Sequence, residues 1–321
     1  MNSDIFNSEL MEKMCAAKAP SGNEEAMRKI ISEELSAYAD EIKTDALGNL
    51  IVHKKGTGKR LMLSAGMDEV GIIVTYIEES GLVRFKTVGT CDCACMLSAY
   101  VEFLNGTVGV AACEKGKNAA EMTADDMYID IGAQSRSEAE KYVNIGDVAV
   151  FAGRYCEQEN TITAKSLGSR AGCCALAEAV KNMKDIKNDV YAVFAAQEML
   201  GSRGAAAAAY SVNADFAVTI GVSSSKIGQG ITVSLKSGSC VLDRNVSDMI
   251  KSSAEKERIQ YQPEVLEEGG SANVVHMTRA GIKTGCICVP VRGIKLFSQT
   301  AAKSDITACS KVIAQLAGMT I

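Results

Sequence analysis

Apolar residues recur at helical spacing over residues 7–37, with Leu10, Met14, Ile30, Ile31 and Leu35 on the repeat, and Pro20-Ser21-Gly22 breaks the run. Two strands are predicted next, over 49–52 and 60–65, the second leading into Gly66-Met67-Asp68-Glu69-Val70-Gly71. From about 71 to 160 the pattern changes to short alternating strands such as 71–77, 83–85 and 101–104. Turn signals at Glu79-Ser80-Gly81, Asn105-Gly106 and Gly146-Asp147 separate them, which predicts a small β-barrel or sandwich. Beyond 160 strand and helix alternate again. Helices are expected over 170–184, 203–210, 241–257 and 302–317, and apolar strands over 189–196, 215–220 and 283–289. Strands that are apolar without polar alternation predict a mostly parallel sheet covered by helices. The expected fold class is therefore α/β, with residues 1–70 and 161–321 in one domain and 71–160 as an inserted β-barrel.

The chain has 321 residues, 47% hydrophobic and 23% charged, enough for a sizeable core in one large domain or two smaller ones. Lys and Arg total 34 against 39 Asp and Glu, a net charge of −5 that sets up no attraction for phosphate backbones or anionic lipid. Nucleic acid and membrane partners are not expected. The first residues show no basic segment followed by an apolar run, and no apolar stretch reaches bilayer length. Twelve cysteines without an export signal point to thiols in a reducing cytoplasm.

In open α/β sheets chemistry gathers beyond the carboxyl ends of the strands. Four such ends carry unusual sequence: 65–69, 197–201, 220–222 and 291–295, together with the helix-leading loop Lys165-Ser166-Leu167-Gly168-Ser169-Arg170. Around them stand Pro20-Ser21-Gly22-Asn23-Glu24, Asp45-Ala46-Leu47-Gly48-Asn49-Leu50, Met67-Asp68-Glu69-Val70-Gly71, Asp130-Ile131-Gly132-Ala133, Gly146-Asp147-Val148, Gln197-Glu198, Gly201-Ser202-Arg203-Gly204-Ala205 and Pro290-Val291-Arg292. In this order the motifs resemble the dinuclear metallo-aminopeptidases that assemble as tetrahedral dodecamers, a group that includes glutamyl aminopeptidases and proteins once labelled cellulases or endoglucanases. The resemblance spans essentially the whole chain. It implies a zinc-aminopeptidase-like fold, an insert that makes contacts between subunits, and two divalent ions such as zinc or cobalt.

The departures from that pattern are as informative as the matches. The resemblance implies a histidine, a bridging aspartate, a glutamate, a second aspartate and a second histidine as metal ligands. This chain has Gly66, Gly168, Met199, Gly221 and Lys295 at those positions. Glycine offers no side-chain donor, a thioether is a poor partner for zinc or cobalt here, and an ammonium repels the ion. Losing the acids together with the cations avoids stranding unpaired buried carboxylates. No cofactor is therefore expected. Glu198 stands at the general-base position and Asp68 at the position that orients the first histidine, with Lys165, Arg170, Arg203 and Arg292 as cations around the pocket.

Without metal-activated water Glu198 reads either as a relic base or peptide amino-terminus anchor, or as a strand-end acid paired to Lys165, Arg170, Arg203 or Lys295. Lys295 is expected to project into the former cavity and pair with Glu198 or Asp68. His53, on a strand, and His276, on a helix, match no ligand position and read as ordinary packed or surface residues. Cys91, Cys93 and Cys95 would share one face of a strand, and are expected to stay thiols rather than form a metal site lacking a fourth ligand. A serine–lysine hydrolase built on Ser223-Ser224-Ser225-Lys226 or on Ser169 with Lys295 needs a base within reach that sequence does not supply. Two functions follow: a catalytically silent homologue acting as a peptide-binding or regulatory subunit, or a working aminopeptidase with an altered metal site or mechanism. Expected partners are peptides and other copies of the chain, from dimer to dodecamer, or an active paralogue in a mixed particle.

Overall fold

A computed structural model describes residues 6–114 and 122–319. The amino-terminal helical run divides into α1 (Ser8–Ala16) and α2 (Glu25–Leu35). The split follows the sequence: Pro20-Ser21-Gly22 turns the chain, with Gly22 at φ 86°. The strands β1 (Glu41–Thr44), β2 (Leu50–Lys54) and β3 (Arg60–Gly66) follow.

The next six strands are β4 (Gly71–Ile77), β5 (Val83–Val88), β6 (Tyr100–Phe103), β7 (Val108–Cys113), β8 (Met127–Asp130) and β9 (Val148–Phe151). They close into an antiparallel barrel in the order β4-β5-β8-β7-β6-β9. Its interior is filled by Ile72, Val74, Phe85, Val101, Phe103, Met127, Ile129, Ala149 and Phe151. Closure leaves no strand edge and selects the barrel over the sandwich. Two short helices, α3 (Cys93–Met96) and α4 (Arg136–Ala139), sit in its connections. The three cysteines of the first connection do not lie on a strand: Asp92 caps α3 by accepting from the Ala94 amide at 2.9 Å, so a helical turn replaces the alternation read from spacing.

The chain then completes one large sheet with β10 (Cys156–Glu157), β11 (Thr161–Ala164), β12 (Asp189–Ala195), β13 (Phe216–Ser223), β14 (Ile231–Ser237), β15 (Cys240–Val241), β16 (Tyr261–Leu266), β17 (Lys283–Arg292) and β18 (Gln299–Ala302). Interspersed are α5 (Leu167–Asn182), α6 (Arg203–Val212), α7 (Arg244–Lys256), α8 (Ala272–Val275) and α9 (Lys303–Leu316). The main strand order is β1-β2-β12-β3-β13-β17-β18-β11-β10, with β14 branching from β17 and carrying β15 and β16. β12, β3, β13 and β17 are mutually parallel, whereas β1, β2, β18, β11 and β10 extend the sheet by antiparallel pairing. The sheet is thus mixed, with the expected parallel strands at its helix-covered centre and antiparallel strands at its flanks. The expectation captured its buried centre; the short flanking strands, such as β16 with its exposed alternate residues and Pro263, carry too weak an apolar signal to be read locally.

Burial follows the apolar runs. β3 and β17 are covered along nearly their whole length, as central strands between helix layers must be. Leu61, Leu63, Ala65, Val218 and Ile220 pack on one face against α5 residues such as Ala171 and Leu176. Met62, Val193, Ala195 and Ala217 pack on the other against Ala205, Ala208 and Ala209 of α6. Alanines of α6 pack this face, and the Gly204 amide in its first turn donates to the Ala196 carbonyl just beyond β12.

Candidate functional site

The site forms where β3, β12 and β13 end. The backbone leaving β12 does not continue smoothly: Gln197 and Ser202 take left-handed backbone angles, φ 54° and 56°, around the short turn Glu198–Leu200. Such angles are strained for non-glycine residues and need support from outside the turn. Asp68 supplies it. Its buried carboxylate accepts from the Glu198 amide at 2.9 Å, the Met199 amide at 2.9 Å and the Ser21 hydroxyl. Glu24 accepts from the Gln197 amide at 3.0 Å and from the Gly22 amide at 2.6 Å, tying the α1–α2 turn to the same segment. Burial pushes the Asp68 carboxyl above its ordinary range, and the bonds from Ser21 and the two amides oppose that rise. Asp68 here holds a backbone turn, where the resemblance gave it the task of orienting a histidine.

Glu198 is directed over Gly66. A Cβ built on Gly66 would meet the Glu198 Cγ at 2.6 Å and its Cβ at 2.7 Å, so the carboxyl side chain occupies the space that any side chain at 66 would enter. Glu198 Oε1 accepts from the Ser202 hydroxyl at 2.8 Å, and the Ser271 hydroxyl and amide stand beside the same buried carboxyl. Burial raises the carboxyl to about 7 against the bonds from Ser202 and Ser271, and the nearby Asp68 adds to the rise. None of the expected cations reaches it. Arg203 Nε donates to the Leu200 carbonyl at 3.0 Å, Arg292 is exposed, and Lys165 and Arg170 are engaged elsewhere.

Those two are claimed by Glu69, an acid whose role the sequence did not signal beyond its place in the Asp68-Glu69 pair. Glu69 Oε2 accepts from Lys165 Nζ at 2.8 Å and the Ser166 hydroxyl at 2.7 Å; Oε1 accepts from Arg170 Nη2 and the Ala19 amide, both at 3.0 Å. Arg170 is fully buried and its remaining donors reach the carbonyls of Met14, Ala17 and Met67. Burial alone would raise the Glu69 carboxyl, but Arg170 and Lys165 outweigh it and hold it below the ordinary range. This cluster braces α1, β3 and α5 beneath the site.

The remaining positions divide. At Gly168 the amide donates to Gln299 Oε1 at 2.6 Å, and Gln299 Nε2 donates to the carbonyls of Ile294 and Leu296, so a glutamine plugs that corner. Met199 lies against Gly89, just beyond β5. Gly221 faces the Cys288 thiol across β17, with 3.6 Å between that sulfur and a built Cβ. Lys295 does not enter the cavity. It is exposed and pairs with the equally exposed Glu268 at 2.5 Å, because Gln299 pins the Ile294 and Leu296 carbonyls inward and leaves the side chain between them in solvent. The expected pairing with Glu198 or Asp68 is therefore replaced by a solvent-screened surface pair with Glu268.

The two histidines stay outside this region as packed residues. His53 Nε2 lies 2.7 Å from Asp189 and the ring stacks on Tyr191, while His276 Nδ1 bonds the Ala272 carbonyl at the end of α8. Ser225 donates to Glu264, and Ser223 bonds Thr232 at 2.7 Å; neither finds a lysine base in these bonds.

Residues 48–312 match the sequence model of the M42 glutamyl aminopeptidases. The chain belongs to this family. It is 40% identical to a protein of Acetivibrio thermocellus assigned to the aminopeptidases, over 97% of this chain and 98% of that relative. The fold superposes with a TM-score of 0.92 on aminopeptidase APDkam598 from the archaeon Desulfurococcus kamchatkensis, at 26% identity over 97% of this chain and 94% of that one. It superposes with a TM-score of 0.88 on the Pyrococcus horikoshii TET1 peptidase, at 28% identity over 97% of this chain and 99% of that one. That peptidase can assemble into a tetrahedron or a large octahedral shell. Among the described residues no group of three or more His, Cys, Asp or Glu side chains is placed to hold an ion.

Proposed function

We propose that this M42-family chain is a peptide-binding or regulatory homologue that works without the family's dinuclear centre and does not hydrolyse peptides. The observation that carries the reading is the Glu198 side chain lying over Gly66, in the space a ligand-bearing side chain would need. The acid at the general-base position is thus packed as part of the wall. A carboxyl that titrates near 7 is far too weak a base for bulk water, whose pKa is about 15.7 without a bound ion. Membership of a peptidase family supports peptides as what the groove receives. Protein purified without chelators is expected to carry fewer than two equivalents of zinc or cobalt and to release no amino-terminal residues from an aminoacyl panel, with or without added cobalt. Two stoichiometric ions beside Glu198, or robust cobalt-stimulated release, would overturn the reading in favour of an aminopeptidase with an altered site.

Self-association belongs to the same proposal, with the inserted barrel as the contact. Tyr100, Val108, Tyr142 and Ile145 are 63%, 52%, 53% and 68% exposed on it. Asn105 Nδ2 and Thr107 Oγ1 both donate to the Tyr142 carbonyl, which sets Tyr142 beside the β6–β7 turn. Exposed apolar groups of this size on one small domain suit a protein contact. Light scattering is expected to show a homodimer at least, up to a dodecamer, or a mixed particle when an active paralogue is present. Ile145→Glu with Tyr142→Glu should lower the mass. A wild-type monomer at every concentration would count against the assembly.

A further inference from the structure

An open cavity of about 470 Å³ lies at the end of the sheet opposite Glu198. One water needs only about 10–15 Å³ by the same measure, so the space suits a small molecule. The cavity forms where α5, α7 and α9 finish and where the α5–β12 connection passes beneath them. Lys187 stands just before β12, whereas Glu198 follows that strand's far end. The seven residues between span about 20 Å at roughly 3.3 Å each, which separates the two regions. Four lysines line the cavity, Lys184, Lys187, Lys256 and Lys311, against two acids, Asp185 and Glu257. The lining therefore carries a surplus of two positive charges in a chain whose net charge is −5.

Lysines near helix carboxyl ends are ordinary, because they complement the helix dipole and its last carbonyls. That role does not account for four of them around one concavity. The carbonyls here already have partners. The Ala317 carbonyl accepts from the Lys187 and Asn188 amides, both at 3.1 Å, and Asn188 Nδ2 donates to the carbonyls of Leu316 at 3.1 Å and Met319 at 2.9 Å. At the end of α7 the Ser253, Ala254 and Glu255 carbonyls accept from the amides of Glu257, Ile259 and Arg258. One of the two acids is engaged as well, since Glu257 accepts from Gln315 Nε2. Like charges gathered on concave walls repel one another and focus a positive field into the space between them. An anion seated there relieves that repulsion.

We propose that this cavity binds a diphosphate group, free or carried by a nucleoside, with Lys184, Lys187, Lys256 and Lys311 as its cationic contacts. The lining favours that chemistry over a carboxylate. Arginine's planar fork matches a carboxylate, and the cavity is lined by none; lysine ammoniums are point charges on flexible stems that follow a tetrahedral, multiply charged group. A singly charged anion would leave the surplus charge partly uncompensated, whereas a diphosphate offsets it. Nucleic acid is the poorer occupant. A long phosphate backbone meets the negative charge of the chain as a whole, while a short diphosphate lies within a Debye length, about 8 Å, of the local surplus.

The probe is inorganic pyrophosphate, titrated by calorimetry into the full chain at fixed ionic strength without divalent metal, with adenosine diphosphate as the second arm. One equivalent is expected to bind, more weakly as salt rises. Lys184→Gln combined with Lys256→Gln, both at exposed positions, should weaken binding at least tenfold, and Lys43→Gln on the exposed β1 should leave it unchanged. Asp185→Asn should tighten binding, because it removes a repelling carboxylate; asparagine tolerates the left-handed angle there, φ 48°. That gain of affinity is a result that loss of folding does not produce, and circular dichroism checks the double variant. Equal affinity for both probes assigns recognition to the diphosphate alone, and tighter adenosine diphosphate adds a nucleoside contact. No uptake of either probe, or uptake unchanged in the double variant, would overturn the site. The proposed function is tested separately, by metal content and peptide turnover at the other end of the sheet.

Discussion

Glu198→Gln is expected to stabilise the protein at pH 8 by about 2–3 kcal/mol and to leave its stability at pH 4 nearly unchanged. Burial raises the wild-type carboxyl from 4.5 in the unfolded chain to about 7 in the folded one. At about 1.4 kcal/mol per pH unit the difference amounts to about 3 kcal/mol, and partial exposure of the residue reduces it. The sign follows from proton binding. Below pH 4.5 both states hold the proton and the group is neutral to stability. Between 4.5 and 7 the unfolded chain ionises while the folded one does not, so stability falls as pH rises, and the loss is complete above about 7. Glutamine keeps an oxygen for the Ser202 hydroxyl and cannot ionise, so the slope should vanish. Urea unfolding of both chains from pH 4 to 8 checks this; parallel pH profiles would show that Glu198 is hydrated in the folded state. A buried, destabilising acid is the kind of feature retained for ligand binding rather than for folding.

Glu69→Gln is expected to do the reverse, costing about 3–5 kcal/mol at pH 7. The mechanism is stranded charge. Arg170 is fully buried and Lys165 is 7% exposed, and both depend on the Glu69 carboxylate. Glutamine preserves shape and one acceptor but leaves two buried cations without a counter-charge. Adding Lys165→Met to the variant should recover part of the loss, since one stranded ammonium is then gone. Because the Glu69 carboxyl is held below 4.5, its contribution is present above the unfolded value and disappears as pH falls through the folded one. The two acids thus shape opposite limbs of the stability profile. Denaturation showing additive effects of Glu69→Gln and Lys165→Met would sink the stranded-charge account.

The two predictions also show which parts of the site were open to a sequence reading. Asp68 and Glu198 stand in motifs with fixed neighbours, and the fold brings them within one hydrogen bond of the same turn. Gly66, Gly168 and Gly221 were legible as positions with nothing to offer an ion, because the absence of a side chain needs no geometry. Partners were not legible. Lys165, Arg170, Arg203 and Lys295 are four cations near four acids in the chain's motifs, and Coulomb attraction does not by itself choose among pairings. Gln299, which closes the Gly168 corner and turns Lys295 outward, carries no local signal at all.

By itself the sequence determined the alternation of strand and helix and the β-rich insert, because apolar periodicity and turn chemistry act between neighbours along the chain, and its motifs carried the family resemblance. It also determined that five positions hold Gly66, Gly168, Met199, Gly221 and Lys295, and so which donors are on offer. Tertiary structure decided the rest. The flanking antiparallel strands, the Glu69 cluster, the packing of Glu198 over Gly66 and the pairing of Thr219 with Cys286 depend on strand register between segments far apart in the chain. Register is set by burial of whole faces at once, so no local stretch of sequence encodes it.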